Sequence, residues 1–173
     1  MTVIEWVCAK GKQTRERALK VVEDLDDTQL GWRPSPEAHN IAWTLWHMAR
    51  ADDNFQAGVT RRPQVWSEGD FAVRWGYPER GVGTGMDDAK AASLPQPSKT
   101  DLLEYVRRAF GAADAAVDLI DEQRSPEMHD SPFMGGRSTY GEALVVSVTH
   151  DNRHLGEIEY IKGLLGLRGS ATT

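Results

Sequence analysis

With one cysteine in 173 residues, Cys8, the chain can form no internal disulfide. That excludes the secreted scaffolds stapled by such bonds and points to a reducing compartment. Positive charge is also short: 20 Lys and Arg stand against 26 Asp and Glu, a formal net charge of -6. Non-specific binding to nucleic acid or to an anionic membrane needs clustered cations, so neither is an expected partner. No apolar run approaches the ~20 residues that cross a bilayer. Residues 1–6 carry no basic stretch leading into an apolar one, so no secretory signal is expected. The expectation is a cytoplasmic protein of one domain, residues 1–173. Neither internal repeats nor low-complexity tracts occur. What the chain does have is tryptophan, six in all. Such large aromatics serve cores, interfaces and pockets.

Four segments read as helices. The first spans Val3 to Asp26, and Thr2 with Glu5 matches a capping box. Leu30 to Pro34 then reads as a turn, because Pro34 and Pro36 forbid simple continuation. The second spans Ile41 to Ala57, capped by Asn40. Ile41, Leu45, Met48 and Phe55 share one face. Asp52 falls on the same face, and His47 lies at its edge. The third spans Asp101 to Glu122, with Ser98 or Thr100 as cap. The fourth spans Tyr140 to Leu165, opened by Thr139 with Glu142 and stopped by Gly166. The fold class is therefore all-α, a four-helix bundle. A stretch of roughly 40 residues, Gly58 to Pro97, joins helices two and three, far beyond the ~15 usual for a connection without its own structure. Its aromatic residues argue against disorder. It is expected to pack over one end of the bundle, with a short helix near Gly69 to Trp75. A second crossover runs from Ser125 to Ser138.

His150 and His154 stand one helical turn apart, which brings their Cβ atoms to about 5–6 Å on one face. Two imidazoles so placed can reach one ion at ~2.0–2.1 Å. His47, flanking an apolar stripe on another helix, supplies a third. Three protein ligands leave coordination positions open, unlike a closed structural zinc site. Imidazole suits zinc, nickel, iron or copper better than magnesium or calcium. His150 is followed by Asp151, so the metalloprotease HExxH pattern is absent. The competing reading of the pair is two amphipathic residues at a helix edge. His39 and His129 lie in connections and read as surface residues, with His129 a remote further ligand.

Other residues have two readings. Glu157 can accept a hydrogen bond from His154, but a solvated helix carboxylate is favoured. Asp52 either orients a ligand histidine or pairs with a buried Arg15. Trp43, Trp46, Trp66 and Trp75 are candidate pocket walls, with core packing the alternative for at least two. Arg50 or Arg153 can hold a carboxylate, but a solvated cation is favoured for each. Cys8 reads as a core residue, and Gly81, Gly83 and Gly85 as turn or lid glycines.

The segments Leu30-Gly31-Trp32-Arg33-Pro34-Ser35-Pro36 and Asn40-Ile41-Ala42-Trp43-Thr44-Leu45-Trp46-His47-Met48-Ala49 resemble the entry to the second helix of DinB-like proteins. Thr149 to Ile158 resembles their fourth-helix metal motif. The resemblance covers essentially the whole chain. It implies a four-helix bundle of DinB-like connectivity, with a divalent transition metal held by His47, His150 and His154. It also implies a small-molecule substrate and a homodimer. Members include enzymes that use bacillithiol, mycothiol or glutathione, and the metal-binding domain of ergothioneine-type sulfoxide synthases. Trp66 to Gly85 resembles actinobacterial members, which favours mycothiol. Three functions follow: a metal-dependent transferase of a low-molecular-weight thiol or a related hydrolase, an iron-dependent thiol oxygenase, or a non-catalytic metal-binding stress module. An oxygenase of the sulfoxide-synthase kind would carry a second domain beyond this length.

Overall fold

A computed structural model describes residues 1–169. Its long helices are α1 (Val3–Val21), α3 (Ile41–Thr60), α7 (Lys99–Val117) and α8 (Tyr140–Leu164). Short helices α2 (Asp27–Gly31), α4 (Val65–Glu68), α5 (Phe71–Trp75) and α6 (Asp88–Ser93) lie between them. Strands β1 (Met128–Ser131) and β2 (Gly136–Thr139) form an antiparallel hairpin pairing Met128 with Thr139 and Ser131 with Gly136. Packing runs α1–α8–α3–α7 around the bundle. Long helices consecutive in the chain, α1 with α3 and α7 with α8, therefore sit on diagonals. The connections from α1 to α3 and from α7 to α8 thus cross the bundle, whereas the long α3–α7 connection joins neighbours. No described helix is long and apolar enough to cross a membrane.

The capping residues fix the helix starts. The Thr2–Glu5 and Thr139–Glu142 boxes both close, with Glu5 N–H donating to Thr2 Oγ1 and Glu142 N–H to Thr139 Oγ1. Asn40 accepts from Trp43 N–H at 2.7 Å, and Ser98, not Thr100, caps α7. At its far end α8 stops where Gly166 turns left-handed, φ +75°. Leu167 N–H then returns to Lys162 O.

Several boundaries differ from the sequence-based expectation. The first helix ends at Val21, and the expected turn at Leu30 is instead helix α2, opened by an Asp26–Gln29 capping box. Helix α3 runs on to Thr60, where Arg61 takes a left-handed conformation. Helix α7 stops at Val117, five residues short of Glu122. The second crossover contains a hairpin in a chain expected to be all-α. The long connection carries three short helices, of which α5 covers the segment anticipated near Gly69 to Trp75.

Two apolar clusters fill the interior. The larger joins α1, α3 and α7 to the aromatic connection through Trp43, Trp46, Trp66, Phe71, Trp75 and Tyr105. The smaller, around Phe55, Val117, Ile120 and Leu144, lies towards the hairpin and includes Cys8. Burial raises the Cys8 thiol pKa, which fits a core residue.

Candidate metal centre

Helix α3 carries His47 and the adjacent helix α8 carries His150 and His154, so inter-helix packing brings the three rings together. Ring centroids lie 4.9 Å apart for His47 and His150, 4.7 Å for His47 and His154, and 4.4 Å for His150 and His154. One nitrogen from each falls within 4.8 Å of the others. Among the described residues no fourth His, Cys, Asp or Glu joins this group. His47 Nε2 and His150 Nε2 are 3.0 Å apart. With ~2.05 Å bonds that separation subtends about 94° at a shared ion. All three rings are largely buried.

The outer nitrogens support the same reading. His47 Nδ1 is 2.6 Å from Val82 O, so Nδ1–H donates to the carbonyl and Nε2 keeps its lone pair for the interior. His154 Nδ1 lies 2.6 Å from Glu157 Oε2. Outer acceptors such as Val82 O and Glu157 set the tautomer of a ligating imidazole and raise its basicity. His150 Nδ1, 3.5 Å from Asp151 Oδ1, is buried without a hydrogen-bond partner among the described residues. Burial lowers the His47 pKa to about 4 and lowers that of His150, which keeps both rings neutral. The donor set thus fits a divalent transition ion.

Glu157 is half exposed yet bonded to His154, so the favoured reading of a merely solvated carboxylate is corrected. The bond to His154 lowers its pKa. Asp52 pairs with buried Arg15: Arg15 Nη1 lies 3.5 Å from Asp52 and 3.4 Å from Asp151, while Nε donates to Asp114 at 2.7 Å. Ser147 Oγ also donates to Asp52 at 3.0 Å. Burial pushes the carboxyl pKa of Asp52 up to about 8 and that of Asp151 to about 7. Three acids facing one guanidinium leave the buried pair holding a proton near neutrality.

All four candidate tryptophans are buried, and Trp66 and Trp75 belong to the packed core of the connection. Trp43 stacks on His47 with centroids 5.2 Å apart and on His39 at 3.6 Å. His39 is thus a half-buried stacking partner, and burial lowers its pKa. His129, expected at the surface, is buried in β1 against Tyr140, with Nδ1 on Ser138 O, and takes no part in the cluster.

Arg50 is not a solvated cation. It is 1% exposed, lies over the Trp66 ring, and bonds Gly81 O, Gln64 and Asp53. Asp53 also accepts from Val65 N–H at 2.9 Å and Trp66 N–H at 2.8 Å, capping α4 from a neighbouring helix. This pair moors the connection whose Val82 carbonyl holds His47. Sequence reasoning missed Asp53, although two adjacent acids, Asp52 and Asp53, on a helix so apolar were a signal.

The DinB superfamily profile matches residues 11–158. The chain belongs to the DinB superfamily. Similar folds of this DinB-like kind are known at low identity. A conserved protein from Enterococcus faecalis shares 18% identity, with TM-score 0.80, over 96% of this chain and 99% of that one. YfiT from Bacillus subtilis is described as a probable metal-dependent hydrolase with an unusual four-helix bundle topology. It shares 16% identity, TM-score 0.62, over 96% and 91% of the two chains. A DinB-like protein from Bacillus cereus shares 17%, TM-score 0.60, over 89% and 87%. No curated protein matches the chain.

Proposed function

We propose that this chain is a metal-dependent enzyme that transfers a low-molecular-weight thiol, of the bacillithiol or mycothiol type, to an electrophilic small molecule. The observation that carries the reading is the trio itself. Three imidazoles converge, Val82 O and Glu157 hold the outer nitrogens of His47 and His154, and no fourth protein ligand stands among the described residues. Bound there, a divalent ion supplies Lewis acidity and lowers the pKa of a thiol or water at its open positions. The protein's own part is positional. Trp43 fixes the plane of the His47 ring by stacking. Phe133, 6.2 Å from His150 on the hairpin turn, adds an apolar wall that limits water. Zinc, nickel and iron all suit the donors.

A hydrolase at the same ion is the second reading. It is supported by the description of YfiT, whose fold this chain shares. The test begins with elemental analysis of untagged protein beside His47→Ala and His154→Ala. Metal in the parent and loss from both variants is expected, and equal metal in all three refutes the site. Loaded protein is then offered a haloaromatic with and without a thiol. A thioether product supports transfer. Turnover equal with and without thiol supports the hydrolase, and none across several thiols and electrophiles counts against catalysis.

A further inference from the structure

Arg153 lies between the two histidines of α8 in sequence and is exposed. Its Nη2 is 3.4 Å from His154 Nε2, the ring nitrogen that Glu157 leaves free. Among the described residues this is its one hydrogen-bond partner. Glu157, which holds Nδ1, stands across the imidazole and forms no ion pair with Arg153. The other nearby cations are committed: Arg15 to Asp52, Asp151 and Asp114, and Arg50 to Asp53.

One lone pair cannot serve both a guanidinium and a metal ion. An ion at Nε2 therefore frees Arg153 and leaves two positive centres side by side at the open edge of the trio. Carboxylate oxygens match that arrangement, because a guanidinium offers parallel donors in a fixed fork. We propose that Arg153 is a specificity residue, and that a substrate of this site carries a carboxylate bound jointly by the ion and Arg153. The proposal rests on the metal reading above.

Cobalt(II) gives an absorption band that responds to added ligands, so it can report binding without turnover. Cobalt-loaded parent, Arg153→Gln and Arg153→Lys are titrated with acetate and with azide, an anion that does not match the fork. In Arg153→Gln acetate affinity should fall about tenfold or more, and azide affinity less than threefold. Cobalt affinity without anion should rise, because a cation beside the ion is gone. Arg153→Lys keeps the charge but loses the fork, so it should lose acetate affinity with little change for cobalt. Arg153 is exposed, so these variants should fold. Unchanged acetate affinity in Arg153→Gln overturns the inference, and so does an equal loss for azide. If the parent takes no cobalt, the metal reading fails and this inference with it; an unaltered acetate response on bound cobalt sinks this inference alone.

Discussion

Replacing Asp53 by alanine removes a fully buried carboxylate that accepts from Arg50 Nη1, Gln56 Nε2, Tyr105 Oη–H and the N–H groups of Val65 and Trp66. Stranding one member of a buried ion pair costs about 3–5 kcal/mol. Each buried N–H left without an acceptor adds roughly 1–3 kcal/mol. Arg50 keeps Gly81 O and Gln64, which offsets part of the loss. The expected net cost is about 4–6 kcal/mol, a large share of the ~5–15 kcal/mol that holds a domain together. With a urea slope of ~1–3 kcal/mol per molar, the midpoint should fall by roughly 2 M. Asp53→Asn keeps one acceptor oxygen and should lose about half as much. Arg50→Met with Asp53→Leu removes both charges and should recover part of the loss. The assay is equilibrium urea unfolding of metal-free protein followed by tryptophan fluorescence. A cost below about 1 kcal/mol for Asp53→Ala would refute the idea that this carboxylate moors the connection.

Two further outcomes follow from the structure. Gly83 has φ +96°, and an added Cβ would meet Trp43 Cζ2 and Trp46 Cζ3 at 2.9 Å. Gly83→Ala should therefore cost at least ~1–3 kcal/mol and, by shifting Val82 O, weaken metal retention; unchanged thermal stability and metal content would refute this. The pKa values of Asp52 and Asp151 are raised above those of an unfolded chain, so the folded state holds extra protons between pH ~4 and ~8 and loses stability as pH rises through that window. His47, lowered to about 4, acts oppositely between pH ~4 and ~6.5, so above pH ~6.5 it no longer opposes the carboxyl effect. Urea midpoints of metal-free protein should fall from pH 6.5 to 9, and Asp52→Asn should flatten that slope; a flat parent profile would contradict the shared proton.

The long helices were legible because capping residues and apolar spacing are local. Thr2, Asn40 and Thr139 each open a helix where expected, and the turn between His150 and His154 follows from helical pitch alone. The hairpin was not legible, since the residue types of Met128-His129-Asp130-Ser131 do not alternate between apolar and polar, although their burial does once the backbone pairs. Helix α2 was hidden by Pro34 and Pro36, although Asp26 and Gln29 formed a readable box. Of the site, the ligand trio could be found from residue type, helped by the family resemblance. Its outer support could not: Val82 contributes only a carbonyl, which any residue has, from 35 positions further along the chain. Arg50 and Asp53 look like ordinary helix-surface charges until the connection folds over them.

The stack of Trp43 on His47 has an optical consequence. An open-shell ion such as Co(II), Ni(II) or Cu(II) at these imidazoles would sit within easy quenching range of the Trp43 indole. Trp46 lies 5.9 Å from Trp43 and Trp66 lies 6.2 Å from Trp46, close enough for excitation to migrate along the three rings. The emission of much of the aromatic core would then report occupancy of one coordination site, while zinc, with its filled d shell, would leave that emission largely bright.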